Sequence, residues 1–72
     1  MKDAQYTAIY AKTKTGYSAH IPDLPGCVAT GRKLELTKRR MREAVVLHLS
    51  GMREDGEPIP QPTTLADVIE AA

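Results

Sequence analysis

The sequence feature that most restricts the fold is the stretch IPDLPGC at residues 21–27. Pro22 and Pro25 have a fixed φ angle and no backbone N–H to donate, and Gly26 can take the positive φ that a tight reversal requires. Neither a helix nor a central strand can therefore run through this stretch. We predict that residues 21–27 turn the chain back between two strands.

The segments on either side of this turn have the patterns of strands. Residues 17–21 alternate apolar and polar side chains with a period of two, and residues 5–12 are rich in Tyr, Thr, Ile and Ala. Between them a short polar stretch ends in Gly16, which we expect to supply the positive φ of a hairpin loop. A third strand at residues 27–30 completes a predicted three-stranded antiparallel sheet.

The period changes from Leu34 onward, where apolar residues recur at three- and four-residue intervals. These positions are Leu34, Met41, Ala44, Val45, His48, Leu49 and Met52. We predict one helix of about five turns, which Gly56 and Pro58 end. Lys33, just before it, has no side-chain oxygen to cap the first amides. The predicted fold class is α+β, with one long helix on one face of the sheet.

After the helix, the chain is expected to run extended. Residues 57–62, EPIPQP, contain three prolines and form a predicted surface tether. Thr63 or Thr64 could cap a short terminal element at residues 63–72, either a helix or an edge strand. A chain of 72 residues is too short for two domains, so we treat residues 1–72 as one.

Composition limits the compartment and the assembly of the protein. The single cysteine, Cys27, cannot form an intramolecular disulfide, which favours a reducing compartment. The sequence has no apolar run long enough for a signal peptide or a membrane span, so we expect a cytoplasmic protein without a membrane partner. A core without Trp or Phe is small, and we expect association into a homodimer or tetramer to stabilise it.

Few residues are candidates for catalysis or metal binding. Asp3 and Asp23 are the only acidic residues in the strand region. His20 and His48 have no carboxylate at a spacing that would orient them. Cys27 has no second cysteine with which to hold a metal. We therefore expect no catalytic residue, no metal site and no cofactor.

Two motifs of the chain resemble the N-terminal domain of HicB antitoxins. They are GYSAHIPDLPGCVATG at residues 16–31 and EDGEPIPQP at residues 54–62, which flank a helix. The resemblance covers most of the chain and implies a partial RNase H-like fold. It also implies a partner, a small basic RNA-cleaving toxin of the HicA type with a double-stranded-RNA-binding fold and a catalytic histidine.

The same resemblance implies how such a protein would work. An antitoxin of this type covers the active surface of its toxin, so inhibition would be steric. Many family members also carry a C-terminal domain that binds DNA. Only ten residues, 63–72, follow the tether in this sequence, and we expect no such domain here.

The charge distribution predicts where a basic partner would bind. Residues 32–43 hold six basic and two acidic residues, whereas residues 53–72 hold one basic and five acidic residues. A basic toxin would be repelled by the first segment and attracted by the second. The candidate partner contacts are Asp23, Leu24, Glu54, Asp55 and Glu57, with Leu24 expected to project from the turn.

Apolar residues beside the main helical stripe predict a second interface. Leu36, Val46 and Leu47 make the helix apolar around more of its circumference than one sheet requires. We expect these three side chains to form the contact between copies of the chain.

Two alternative functions follow from other features. The basic residues Arg32, Lys33, Lys38, Arg39, Arg40 and Arg42 could bind a phosphate backbone. No aromatic residues lie between them to stack on bases, so a solvated helix face is favoured and direct nucleic-acid binding is not expected. The other alternative is a degenerate RNase H-like nuclease, which would need several carboxylates around two metal ions.

Overall fold

The computed structural model describes residues 5–71 of the chain. Three strands, β1 (Ile9–Lys12), β2 (Tyr17–His20) and β3 (Val28–Gly31), form one antiparallel sheet in the order β1-β2-β3. One helix, α1 (Leu34–Glu54), packs across β2 and β3. The predicted α+β architecture of three antiparallel strands and one long helix is confirmed. Asp3, considered above as an acidic candidate, lies outside the described residues.

A small core joins the sheet to the helix. Its buried apolar residues are Ala19, Ile21, Leu24, Cys27 and Met41. Thr37 is buried with them, and its hydroxyl donates a hydrogen bond to the Lys33 carbonyl at 2.8 Å. Because the core is this small, each buried side chain supplies a large share of the apolar burial that holds the fold.

Residues 21–27 form two consecutive turns. The N–H of Leu24 donates to the carbonyl of Ile21, and the N–H of Cys27 donates to the carbonyl of Leu24, both at 3.0 Å. Each turn has a proline at its second position, and Gly26 takes a φ of 86° at the third position of the second turn. Every third residue, Ile21, Leu24 and Cys27, is buried. The motif therefore both reverses the chain and supplies core side chains.

β1 and β2 are shorter than the sequence pattern predicted, whereas β3 has the predicted length and begins one residue later. The pairing of β1 with β2 ends at the pair Ile9 and His20. Ile21 leaves this pairing because its N–H donates to the Cys27 carbonyl at 3.2 Å, which closes the turn. Residues 5–8 lie beyond the end of β2 and extend no strand.

Two glycines permit close backbone packing. We expected Gly16 to supply a positive φ, but it is not among the positive-φ glycines. A Cβ on Gly16 would lie 2.7 Å from the Cα of Arg32, and one on Gly31 would lie 2.6 Å from the Oγ1 of Thr37. The prediction for Gly16 was wrong. Its lack of a side chain, not a positive φ, is what the structure uses, because a Cβ there would collide with the backbone where the hairpin loop meets the end of β3.

The two ends of α1 are capped unequally. Lys33 has the extended backbone of an N-cap, with φ −121° and ψ 152°, but its side chain makes no capping hydrogen bond. At the other end the N–H of Glu57 donates to Met52 at 2.9 Å, and the N–H of Gly56 donates to Arg53 at 3.1 Å. With Gly56 at a φ of 71°, this is the Schellman arrangement, so the predicted end of the helix is confirmed.

Residues 57–64, which include the predicted tether at 57–62, are neither helix nor strand, and two hydrogen bonds hold them to the start of the sheet. The hydroxyl of Tyr6 donates to the Pro60 carbonyl at 2.6 Å. The hydroxyl of Thr7 donates to the Thr64 carbonyl at 2.7 Å. The first contact joins the tether, and the second the residues just after it, to the segment that leads into β1.

The predicted terminal element is not formed over residues 65–71, which are neither helix nor strand; residue 72 is outside the description. Leu65, Val68 and Ile69 are 93%, 94% and 78% exposed. An isolated segment of this length does not sustain a helix without packing against another element. Within the described part of the chain, no helix combines the length and the apolar character that crossing a bilayer requires.

Candidate functional site

Asp23 binds the two threonines that follow the tether. One carboxylate oxygen, Oδ2, accepts the backbone N–H of Thr63 at 3.0 Å and that of Thr64 at 2.9 Å. The other, Oδ1, accepts their hydroxyls at 3.1 and 2.9 Å. These hydrogen bonds, the Thr64 amide foremost, lower the pKa of Asp23 below its ordinary value. We refer to these three residues as the Asp23 cluster; it holds the chain end on the turn.

Leu24 does not project from the turn, so that expectation is wrong. Its side chain is 0% exposed and lies in the core. The residues that begin and end the two successive turns, Ile21, Leu24 and Cys27, point inward, whereas Asp23 inside the first turn stays at the surface. Leu24 lies in the floor of a groove at the C-terminal end of α1 rather than standing above the turn.

The acidic candidates Glu54, Asp55 and Glu57 are all exposed at the C-terminal end of α1. A groove of about 510 Å³ lies beside them. Asp55 and Glu57 line it together with Leu47 and His48 of the helix. The structure therefore places carboxylates next to a concave, partly apolar surface.

The three residues predicted for an oligomer contact are not equally accessible. Val46 and Leu47 are 66% and 72% exposed, whereas Leu36 is half-buried. Val46 also borders a groove of about 350 Å³ between α1 and the start of the sheet. That groove is lined by Tyr6, Ala8, Tyr10, Ile21, Met41, Arg42, Val45 and Val46. The exposed apolar surface thus centres on Val46 and Leu47.

The six basic candidates are all exposed, but the structure does not bring them together. Arg32 and Arg40 line a pocket of about 510 Å³ at the end of β3. Lys33 is the N-cap of α1, and Arg42 borders the apolar groove. Lys38 and Arg39 are not among the residues that line the pocket at β3. A continuous basic track along the helix is therefore not formed by all six.

The side chains considered for catalysis or metal binding differ in their surroundings. Burial raises the pKa of the Cys27 thiol, which keeps it protonated in the core. His20 is exposed on β2 and His48 is half-buried on α1. Among residues 5–71, no group of three His, Cys, Asp or Glu side chains is placed to hold a metal ion.

Sequence reasoning did not find the partners of Asp23. The carboxylate and its threonines are forty and forty-one residues apart. The sequence signal for these partners is the pair of threonines after the last proline, which also fits the capping of a short terminal element. Hydroxyls with free amides beside them can bind a distant carboxylate equally well, and only the path of the tether distinguishes the two roles.

Comparison with protein families gives one match over nearly the whole chain. The family model described as the HicB_like antitoxin of bacterial toxin-antitoxin system matches residues 6–72. A chain of the solved HicA3 and HicB3 toxin-antitoxin complex shares the fold with a TM-score of 0.72 and 27% sequence identity. The match covers 82% of this chain and 69% of that chain.

Two curated relatives are similar in sequence. An uncharacterized 14.9 kDa protein from the rep-hol intergenic region of Haemophilus phage HP1 is 33% identical over 64 residues. This match covers 89% of the chain but 48% of the phage protein, so the chain spans about half the length of that relative. A UPF0150 protein of Helicobacter pylori is 38% identical over 48 residues, which is 67% of each chain.

Proposed function

This chain belongs to the HicB-like antitoxin family, and we propose that it inhibits a small, basic, RNA-cleaving toxin of the HicA type by steric occlusion. In this function the chain is a binding protein and performs no chemistry of its own. Its work is to keep the active surface of the toxin away from RNA.

The observation that carries this proposal is the fold match to a chain of the HicA3 and HicB3 toxin-antitoxin complex. The match includes most of the chain, so it is a likeness of the whole sheet-and-helix unit rather than of one motif. An antitoxin function also suits a small domain whose exposed surface includes a groove and apolar helix residues, because such surfaces usually meet a partner.

The surface best suited to a basic toxin is the groove at the C-terminal end of α1. Glu54, Asp55 and Glu57 give this end a negative charge, and Leu47 adds exposed apolar area beside it. A toxin that binds RNA must itself be basic on its active surface. Complementary charge at this groove would speed encounter and orient the two proteins. Asp23 is excluded from this surface because its carboxylate is already bound to Thr63 and Thr64.

Charge reversal tests the proposed surface. In the double variant Glu54→Lys and Glu57→Lys, we expect affinity for a cognate HicA-type toxin to fall by roughly tenfold, because two favourable charges become repulsive. Binding is measured by titration calorimetry, and inhibition by cleavage of RNA in the presence of each variant.

The matched control is Arg39→Glu, an exposed position on the basic side of α1. Arg40 is a poor control because its guanidinium donates to the Thr30 carbonyl at 2.9 Å, so reversal there would also disturb β3. We expect Arg39→Glu to bind the toxin at least as tightly as the unchanged chain. Equal losses of toxin affinity in the double variant and in Arg39→Glu would contradict the proposed surface. Failure of the unchanged chain to bind the toxin would contradict the function itself.

A further inference from the structure

We propose that the pocket at the end of β3 binds the phosphate group of a nucleotide. The pocket has a volume of about 510 Å³, within the range of roughly 300–1,000 Å³ that is usual for small-ligand sites. Its lining residues are Thr13, Thr15, Tyr17, Thr30, Gly31, Arg32 and Arg40. We call it the Arg32–Arg40 pocket. It lies apart from the acidic groove, so the inference is independent of toxin inhibition.

The composition of the Arg32–Arg40 pocket matches the chemistry of a phosphate. Two guanidinium groups supply positive charge and a planar set of N–H donors, and three threonine hydroxyls add further donors. No carboxylate is among the described residues that line it. An anion entering the pocket therefore meets donors and positive charge from several sides, with no negative side chain in the lining to repel it.

The hairpin-loop wall of the pocket is held by hydrogen bonds within the loop and by its close packing on the residues after β3. In the hairpin loop, the N–H of Thr13 donates to the Gly16 carbonyl at 2.8 Å, and the N–H of Gly16 donates to the Thr13 hydroxyl at 3.1 Å. Gly16 in turn packs against the backbone of Arg32. The hydroxyl oxygen of Thr13 is the acceptor in this second hydrogen bond, so the hydroxyl hydrogen remains available for donation to a ligand.

Arg40 is also positioned before any ligand arrives. One of its terminal nitrogens donates to the Thr30 carbonyl at 2.9 Å, which fixes the guanidinium beside the edge of β3. An arginine has five N–H donors, so most of them stay free for an anion. A side chain that is already ordered loses less conformational entropy on binding.

A nucleotide fits the pocket better than a bare phosphate or a long strand. Tyr17 is half-buried in the wall and offers an aromatic face for a base. The volume exceeds what one phosphate would fill. A strand would need a continuous track of cations, and Lys38 and Arg39 do not line the site.

The test is a titration of the isotope-labelled chain, without toxin, followed by the NMR signals of its backbone amides. The probes are adenosine monophosphate, inorganic phosphate and adenosine. We expect the amide signals of the hairpin loop and of Arg32 to shift with adenosine monophosphate and with inorganic phosphate, but not with adenosine. The nucleotide should bind with the higher affinity of the two. The absence of a shift at the pocket with adenosine monophosphate would overturn the proposal.

Variants identify the groups responsible. We expect Arg32→Gln to weaken nucleotide binding about tenfold, because a charged hydrogen-bond donor to the phosphate is lost. The matched control Arg39→Gln should leave the affinity unchanged. Equal weakening by both variants would mean attraction to net charge and would overturn the site. An RNA oligomer that shifts residues 38 and 39, while adenosine monophosphate leaves the pocket unshifted, would assign the basic residues to a nucleic-acid strand and would also overturn it. Because no toxin is present, neither result affects the proposed antitoxin function.

Discussion

At the scale of single residues, the side chain of Asp23 connects the turn after β2 with the chain end that follows the tether. All of its hydrogen bonds go to Thr63 and Thr64, and both carboxylate oxygens are used. An ionised carboxylate accepts four hydrogen bonds in this way, whereas a protonated one has lost acceptor capacity. Four of the hydrogen bonds that attach residues 63 and 64 to the body therefore depend on the charge of Asp23, and the Thr7 hydroxyl donates a further one to the Thr64 carbonyl.

This dependence predicts a pH effect confined to the chain end. The pKa of Asp23 is lower in the folded state than in the unfolded state. The stabilisation that its carboxylate gives to the chain end is therefore complete above the unfolded pKa of about 3.9, and it is lost as pH falls through the folded pKa. We expect the amide signals of Thr63 and Thr64 to titrate with a pKa below the ordinary value of an aspartate.

The measurement is an NMR titration of the labelled chain from neutral to acidic pH. Asp23→Asn should abolish the titration of both amides. Asp67→Asn is the matched control, because Asp67 lies in the exposed segment and accepts only the amide of Val68 next to it. Titration of the threonine amides at the ordinary pKa of an aspartate would contradict the role of the Asp23 cluster.

At the scale of elements, α1 is the longest element of the described structure, and its N-terminal end has no side-chain cap. Its C-terminal end is closed by the Schellman hydrogen bonds around Gly56. At its start the backbone of Lys33 has the extended geometry in which a Ser, Asp or Asn side chain would reach the amides of the first turn. The cationic side chain at this end is also unfavourable to the helix dipole.

Replacing Lys33 by aspartate should therefore stabilise the protein. We expect Lys33→Asp to raise the free energy of unfolding by about 1 kcal/mol, through a capping hydrogen bond and a favourable charge at the helix start. Urea unfolding followed by circular dichroism measures this. Lys38→Asp makes the same charge change on an exposed position inside the helix and should give no such gain. A similar gain in both variants would indicate a general charge effect instead of a cap.

At the scale of the whole molecule, the chain leaves apolar surface exposed that its own elements do not cover. Its radius of gyration is 13.6 Å, compared with roughly 11 Å for a compact domain of this length. The exposed residues of the chain end contribute to this difference, since they extend away from the body. On the helix, Val46 and Leu47 remain exposed beside the apolar groove that Tyr6 and Tyr10 line.

We expect this helix surface to form a contact between two copies of the chain. The variant Val46→Lys places a charge in the centre of the surface and should convert a dimer to a monomer, as measured by sedimentation velocity. Ser50→Lys makes an equal charge change at an exposed polar position of the same helix and should remain dimeric. A monomeric unchanged chain, or a dimer in both variants, would contradict the prediction.

The sequence by itself determined the turn at residues 21–27, the strand and helix order, and the end of α1. These features depend on prolines, on glycines and on periodic apolar residues, whose effects act within a few neighbouring positions. The family resemblance also came from these local motifs. Strand ends were less predictable, because they depend on where the partner strand stops pairing.

Only the tertiary structure decided what most candidate side chains do. Leu24 is buried instead of projecting, Asp23 binds its own chain, and the terminal element is absent from residues 65–71. The structure also selects Arg32 and Arg40 from six basic residues by placing them around one pocket. These outcomes depend on contacts between residues far apart in the chain, and such contacts are set by how the elements pack rather than by local sequence.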